Sequence, residues 1–296
     1  MTDRILDLSE APVRLSVWQG LLRIEQDTAA PITMPFEDVA AVVGAHRQVT
    51  FTQAVFAKLA EHGAVFVACD ATSKPVAMML PLEGHHLQSE RFAVQAAATQ
   101  PMKKRIWQTL VRAKIRAQAK TLVQLHGADS GLARMANNVR SGDPDNLEGQ
   151  AARRYWPKVF ADEPTFIRDR ELPGRNALLN FGYTILRAVT ARAICAAGLH
   201  PSLGVHHHNR YDAFVLADDL MEPFRPMVDV AVARHTVATG ENCPLDKDAK
   251  KSLYQAVYAP VILQKEQRSL FDALTRVCAS MIKVFQGERK TIVLPE

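Results

Sequence analysis

Pro101-Met-Lys-Lys-Arg-Ile-Trp-Gln-Thr-Leu-Val-Arg-Ala-Lys-Ile-Arg-Ala-Gln-Ala-Lys120, continued by Thr121 to His126, is the stretch on which the fold turns. Pro101 suits a first helical turn, where its missing N–H costs nothing, and Gly127 suits the residue just past a helix end. Met102, Ile106, Leu110, Ala113 and Ala117 form one stripe at helical spacing, which predicts a long helix packed on a core. Residues 101–120 hold seven basic residues and no acid. Arg105, Arg112, Arg116 and Lys120 share a second face with Thr109, which reads either as a solvated surface or as a contact for phosphates.

Before this helix the pattern is different. Val13–Trp18 alternates and Leu21–Glu25 follows Gly20, which reads as a hairpin. Short strands are expected at Ile32–Met34, Ala40–Val43, Ala64–Ala68 and Val76–Leu80. One helix interrupts them, capped by Thr50 or Thr52 and ended at Gly63. Gly84-His85-His86 reads as part of an exposed linker. From about residue 89 onward the period is helical, with further helices expected at about 130–140, 146–160, 174–197, 212–222, 246–258 and 260–285 and an extended tail from Lys290. The expected fold class is therefore α+β, mainly α: a small N-terminal β domain over 1–83, a linker and helix start over 84–100, and a larger all-α domain over 101–296.

Composition narrows the class further. With 48% apolar and 23% charged residues over 296 positions, the chain has the make-up of a globular protein. No apolar run reaches the roughly 18 residues of a membrane span, and Met1–Glu10 lacks a signal-peptide pattern, so a cytoplasmic protein with no membrane partner is expected. Cys69, Cys195, Cys243 and Cys278 lie far apart, without the paired spacing of a zinc or redox site. Residues 1–80 carry 6 Lys/Arg against 9 Asp/Glu, and the rest 30 against 22. An acidic first part joined to a basic second part suggests a polyanion partner for the second.

Two stretches carry candidate chemistry. Gly204-Val-His-His-His-Asn-Arg-Tyr-Asp212 leads into a short apolar segment with Asp218, Asp219 and Glu222, followed by Pro223 and Pro226. The prolines should end or kink a helix there, crowding acids at a terminus that already carries partial negative charge. A cation would offset the repulsion: a divalent metal, Arg225 or Arg210. An ordinary solvated helix end beside surface histidines is the alternative. In Ser141–Trp156, Asp145 or Asn146 can cap a helix whose first turn holds Glu148, with Ala152 and Tyr155 on the same face.

These stretches, with Asn146-Leu-Glu-Gly-Gln-Ala-Ala-Arg-Arg-Tyr-Trp156, Arg175-Asn-Ala-Leu-Leu-Asn-Phe-Gly-Tyr183 and Asp219-Leu-Met-Glu-Pro-Phe-Arg-Pro226, resemble the CRISPR-associated integrase family over essentially the whole chain. The compact Gly-Val-His-His-His-Asn-Arg-Tyr form looks most like its type II branch. The resemblance implies a metal-dependent DNA endonuclease and integrase that inserts spacers by transesterification. It also implies a homodimer built by the β domain, a small ferredoxin-like partner protein, other type II adaptation proteins, and double-stranded DNA as substrate. On the family pattern the metal triad falls on Glu148, His207 and Glu222, holding Mg²⁺ or Mn²⁺. Asp219 then supports the site, and His206 and His208 are second choices. Arg153, Arg154, Arg168, Arg170 and Arg210 join the face of the long helix as candidate DNA contacts. Two rivals remain on sequence grounds: a non-enzymatic helical DNA-binding scaffold, and a zinc hydrolase built on the histidine run.

Overall fold

The computed structural model describes residues 3–70, 75–207, 209–240 and 243–296. The N-terminal part holds β1 (Arg4–Leu8), β2 (Val13–Trp18), β3 (Leu21–Gln26), β4 (Ala29–Met34), β5 (Val39–Gly44), β6 (Val49–Phe51), α1 (Gln53–Glu61), β7 (Val65–Cys69) and β8 (Pro75–Met79). They make two four-stranded sheets, ordered β1-β5-β7-β8 and β4-β3-β2-β6. In the first sheet β1, β5 and β7 run parallel, with Ala41 opposite Val65 and Val43 opposite Val67. A parallel sheet needs cover on both faces. Val42 and Phe66 pack with Leu15 and Leu22 of the second sheet. Ala41, Val43, Val65 and Val67 belong to the core of the helical part.

The helical part comprises α2 (Gln88–Ala96), α3 (Gln100–His126), α4 (Leu132–Asn137), α5 (Leu147–Val159), α6 (Arg175–Ala196), α7 (Val215–Met221), α8 (Arg225–Thr239), α9 (Lys247–Tyr258), the hairpin β9 (Val261–Leu263) and β10 (Glu266–Arg268), and α10 (Leu270–Phe285). Helix α6 is apolar around most of its circumference and is buried among α7, α8, α9, α10 and the first sheet. Helix α3 lies along the other side of this body, against α4, α5, α8 and the turn after α7. Its expected stripe is mostly inside: Ile106, Leu110 and Ala113 are buried, while Met102 and Ala117 are partly covered.

The architecture matches the expected α+β class, and the hairpin at Val13–Gln26 and the strands at 29–34, 39–44, 65–69 and 75–79 fall where the alternation placed them. Four details differ. Residues 84–100 are more than a linker: α2 docks through buried Gln95, whose amide donates to the carbonyls of His200 and Leu203 and accepts from the His200 N–H. Pro223 and Pro226 kink the chain, as the reading allowed, but a further helix that it did not place follows them. A single 3-10 turn over Glu222–Phe224 leads into α8, with Pro226 in the first turn, where proline is tolerated. Residues 260–268 are a hairpin, so the second part is not wholly helical. The terminal segment is extended but held, with Ile292 and Val293 buried and Leu263 bridged to Pro295.

Candidate functional site

Glu148 is set by the start of α5. Asn146, in the left-handed region (φ 50°), accepts the Gly149 N–H on its side chain, and Asp143 accepts the N–H groups of Leu147 and Glu148. Gly149 is required by this packing, because a Cβ there would lie 2.7 Å from the Asn146 Oδ1. Asp145, the other capping candidate, pairs with Arg140 instead. The first helical turn is a favourable place for the Glu148 carboxylate, since the helix end is positive.

Glu222 arrives from the opposite side, on the turn between α7 and α8, and is only 5% exposed. Lys114 of α3 lies between the two acids. Its ammonium is 2.6 Å from Glu148 Oε1 and 2.6 Å from Glu222 Oε2. The contact to Glu148 is a hydrogen bond. The contact to Glu222 Oε2 is an equally short ion pair. Arg225 Nε is 3.0 Å from Glu222 Oε1. Burial opposes the charge on Lys114, but Glu222 and Glu148 more than offset it and hold its pKa above the ordinary lysine value. Burial likewise opposes the charge on Glu222, and Arg225 and Lys114 reverse the effect, leaving its pKa lowered.

The third member is positioned by Asp219. This fully buried carboxylate accepts the N–H groups of Val205, His206 and His207 and contacts His207 Nδ1 at 2.6 Å. Asp219 thus shapes the loop and fixes the His207 ring, leaving Nε2 as the nitrogen available to a ligand. A Cβ on Gly204 would come within 3.0 Å of Asp219 Oδ2, which accounts for the glycine that opens the motif. The hydrogen bond to Asp219 raises the His207 pKa, with the nearby charges of Glu222 and Glu148 acting in the same direction. Trp107 walls the site: His206 stacks on it at 4.0 Å, and His207 meets its edge at 5.5 Å. The two rings are turned 81° apart, so the consecutive histidines face different partners. His208 lies outside the described residues.

Glu148, His207 and Glu222 therefore gather from three separate elements, with Asp219 behind His207. Among the described residues, however, no group of three or more His, Cys, Asp or Glu side chains stands at the mutual spacing of metal ligands. Lys114 occupies the point where the two glutamates converge. Asp218, the remaining acid of the cluster, instead pairs with Arg187. Of the cations that could neutralise the cluster, Arg225 does so and Arg210 lies exposed over Tyr211.

Behind the carboxylates is a second polar arrangement that the sequence reading missed. Tyr155 and Tyr183 both donate to the buried Asp229 carboxylate, the first at 2.8 Å. Burial pushes Asp229 up to about 6, with the two tyrosines pulling the other way. A cavity of about 150 Å³ lies here, lined by Lys114, Gln118, Arg168, Tyr183, Arg225 and Asp229 among others. An adjoining pocket of about 300 Å³ shares Arg168, Tyr183 and Arg225 and adds Arg170 and Arg187.

The candidate DNA contacts fall into two groups. Arg105, Arg116, Lys120, Arg153, Arg154, Arg170 and Arg210 are exposed. Arg112 is half-buried and donates to the Val139 carbonyl, and Arg168 is tied to Asn176 and Asn180. Arg112, Arg116 and Lys120 line a groove of about 930 Å³ between α3, α4 and the C-terminal segment, a different place from the cleft of Glu148 and Glu222. Lys114, Trp107 and Arg225 border the candidate site and Arg187 lines the adjoining pocket; only their place in space distinguishes them from the other basic and aromatic residues of the chain.

Fold and site together define a paired β-sheet assembly packed on a helical body that carries a charged, partly enclosed cleft. The chain belongs to the family described as CRISPR associated protein Cas1, which matches residues 7–259. The CRISPR-associated endonuclease Cas1 of Neisseria meningitidis serogroup C (strain 8013) is 32% identical over 287 residues, 96% of this chain and 93% of that one. A relative from Pyrobaculum aerophilum, CRISPR-associated endonuclease Cas1 2, is 29% identical over 186 residues, 58% of this chain and 62% of its own. Among solved structures, a casposase bound to integration product superposes with a TM-score of 0.76 at 20% identity, covering 98% of this chain and 92% of that one. A Cas1 protein from Thermotoga maritima gives 0.75 at 17% identity over 98% and 99%. At these identities the structural likeness bears on the fold.

Proposed function

We propose that the chain is a metal-dependent DNA integrase and endonuclease that inserts spacers into a CRISPR array, the 3′-hydroxyl of an incoming DNA attacking a repeat phosphodiester. The family supports this reading, as do the endonuclease so named in Neisseria meningitidis and the casposase seen with its integration product. The observation that carries it is the convergence of Glu148 Oε1 and Glu222 Oε2 on one positive charge, beside an imidazole held through Nδ1 by Asp219.

Two carboxylates and one oriented imidazole are a donor set that fits Mg²⁺ or Mn²⁺. Glu148, Glu222 and Nε2 of His207 would hold the ion. When bound, it would supply Lewis-acid polarisation of the scissile phosphate. Asp219 keeps His207 in the tautomer that leaves Nε2 free to bind. Arg168 and Arg225, which both line the adjoining cavity, would meet phosphate oxygens. The exposed arginines of α3 and α5 would track the backbone without reading sequence. The acidic N-terminal part would pair with a second copy; Ile32 at 58% and Val76 at 63% exposure are apolar surface such an interface would cover. A ferredoxin-like partner and other type II adaptation proteins complete the proposed assembly. One solved relative of similar fold is described as a Cas6-RT-Cas1–Cas2 complex.

The test is strand transfer into a supercoiled plasmid carrying a repeat, with and without the partner protein, across a Mg²⁺ and Mn²⁺ titration. Ion-dependent joining that Glu148→Ala abolishes supports the proposal; joining that survives the substitution sinks the site. A second reading, a DNA-binding scaffold without catalysis, is favoured by one observation: Lys114 already neutralises both glutamates. It predicts DNA binding indifferent to divalent ions and no joined product.

A further inference from the structure

Lys114 does not behave like the other basic residues of α3. It is largely buried, and its ammonium is shared by two carboxylates on different elements. Left alone, Glu148 and Glu222 would repel each other across a poorly solvated gap, so the lysine holds them in place. A divalent ion bound through the same oxygens would sit about 2.1 Å from each, next to a positive charge only 2.6 Å from both oxygens. The ion and the ammonium cannot hold that position together.

The structure offers the ammonium another place. Gln118 follows Lys114 by one helical turn on the same face of α3 and is buried, yet its Oε1 has no hydrogen-bond partner. An unsatisfied buried amide oxygen is costly unless a donor can reach it. Gln118 and Lys114 line the same cavity of about 150 Å³, and Asp229 provides a carboxylate within it. Lysine has a flexible four-carbon stem and three donors, so its head can move between acceptors while its backbone stays fixed.

We infer that Lys114 is a displaceable internal cation: it braces Glu148 and Glu222 before a divalent ion arrives, then moves its ammonium to Gln118 when the ion takes the carboxylates. This rests on the metal site proposed above. It makes Lys114 a positioning residue that sets ion affinity by competition and keeps the carboxylates spaced for capture. The displaced ammonium, no longer paired with the glutamates, would share that cavity with Arg168 and Arg225.

The test is calorimetric titration of the full chain with MnCl₂ alone, comparing the parent with Lys114→Met, Gln118→Leu and Glu148→Gln. Lys114→Met should tighten Mn²⁺ binding about tenfold or more, because the competitor is gone. Gln118→Leu, of similar volume, should weaken it several-fold by removing the acceptor. Weaker binding in Glu148→Gln, with Lys114→Met unchanged or weakened, would overturn the inference and leave the metal site standing. Unchanged Mn²⁺ binding in Glu148→Gln would overturn the metal site itself. Should Lys114→Met fail to fold, Gln118→Leu decides: parental affinity there rejects the displacement.

Discussion

Helix α3 presents two kinds of positive charge, and they behave differently. Arg112 and Arg116 stand two residues either side of Lys114, about 200° round the helix axis, and so lie on its far side. Arg116 and Lys120 are solvated and border a wide open groove, whereas Lys114 is enclosed and held by two acids. An exposed charge contributes little to stability and is screened by salt, while a buried one is costly to leave unpaired. The outer face is suited to sequence-independent contact with a polyanion, the inner face to holding a small, specific set of groups.

The sharpest way to break this contrast is to remove one inner carboxylate. Glu148→Ala should lower strand transfer by about 1,000-fold or more while DNA binding in gel shift stays near parental. Equal loss of both would remove the distinction between the faces. Next in size, Glu222→Ala leaves buried Arg225 without its carboxylate and Lys114 with Glu148 alone, and should cost about 3–5 kcal/mol in urea unfolding. Arg116→Ala on the outer face should stay within about 0.5 kcal/mol.

A third prediction concerns Asp229. Its folded-state pKa of about 6 lies above the ordinary 3.8, so the folded chain holds this proton more tightly than the unfolded one. The associated stability is present below pH 3.8 and is lost as pH rises through about 6. Asp229→Asn should flatten that part of the stability–pH curve by on the order of 3 kcal/mol, read from melting at a series of pH values. A parallel curve in the variant would place the ionisation elsewhere. Smallest of all, Arg116→Ala and Lys120→Ala should each reduce the slope of log affinity against log salt by about one for DNA binding, with strand transfer at saturating DNA preserved.

Much of the fold was legible because burial imposes its period on the sequence. Alternation marked Val13–Trp18 and its neighbours, and the apolar stripe of α3 marked the start of the helical part. Helix α8 was hidden by Pro223 and Pro226, which look like stops but sit where a 3-10 turn and a first helical turn tolerate proline. The strand β6 and the short hairpin at Val261–Arg268 carry too few residues to show a period, and β1 buries only Leu8 fully, so its alternation is faint. In the candidate site, the Asn146 cap, Glu148 in the first turn of its helix and the acids at 218, 219 and 222 were legible as local features, while their grouping with His207 came from the family resemblance.

Lys114 was visible only as one member of a basic run, and Gln118, Tyr155, Tyr183 and Asp229 carried no signal of a shared purpose. By itself the sequence determined which segments are strands and helices, which part is acidic and which basic, and which short turns present an acid or a histidine. Tertiary structure alone decided which charge meets which. Pairing across α3, α5, α6 and α8 depends on how buried faces pack, and no spacing along the chain encodes a distance between residues of separate helices.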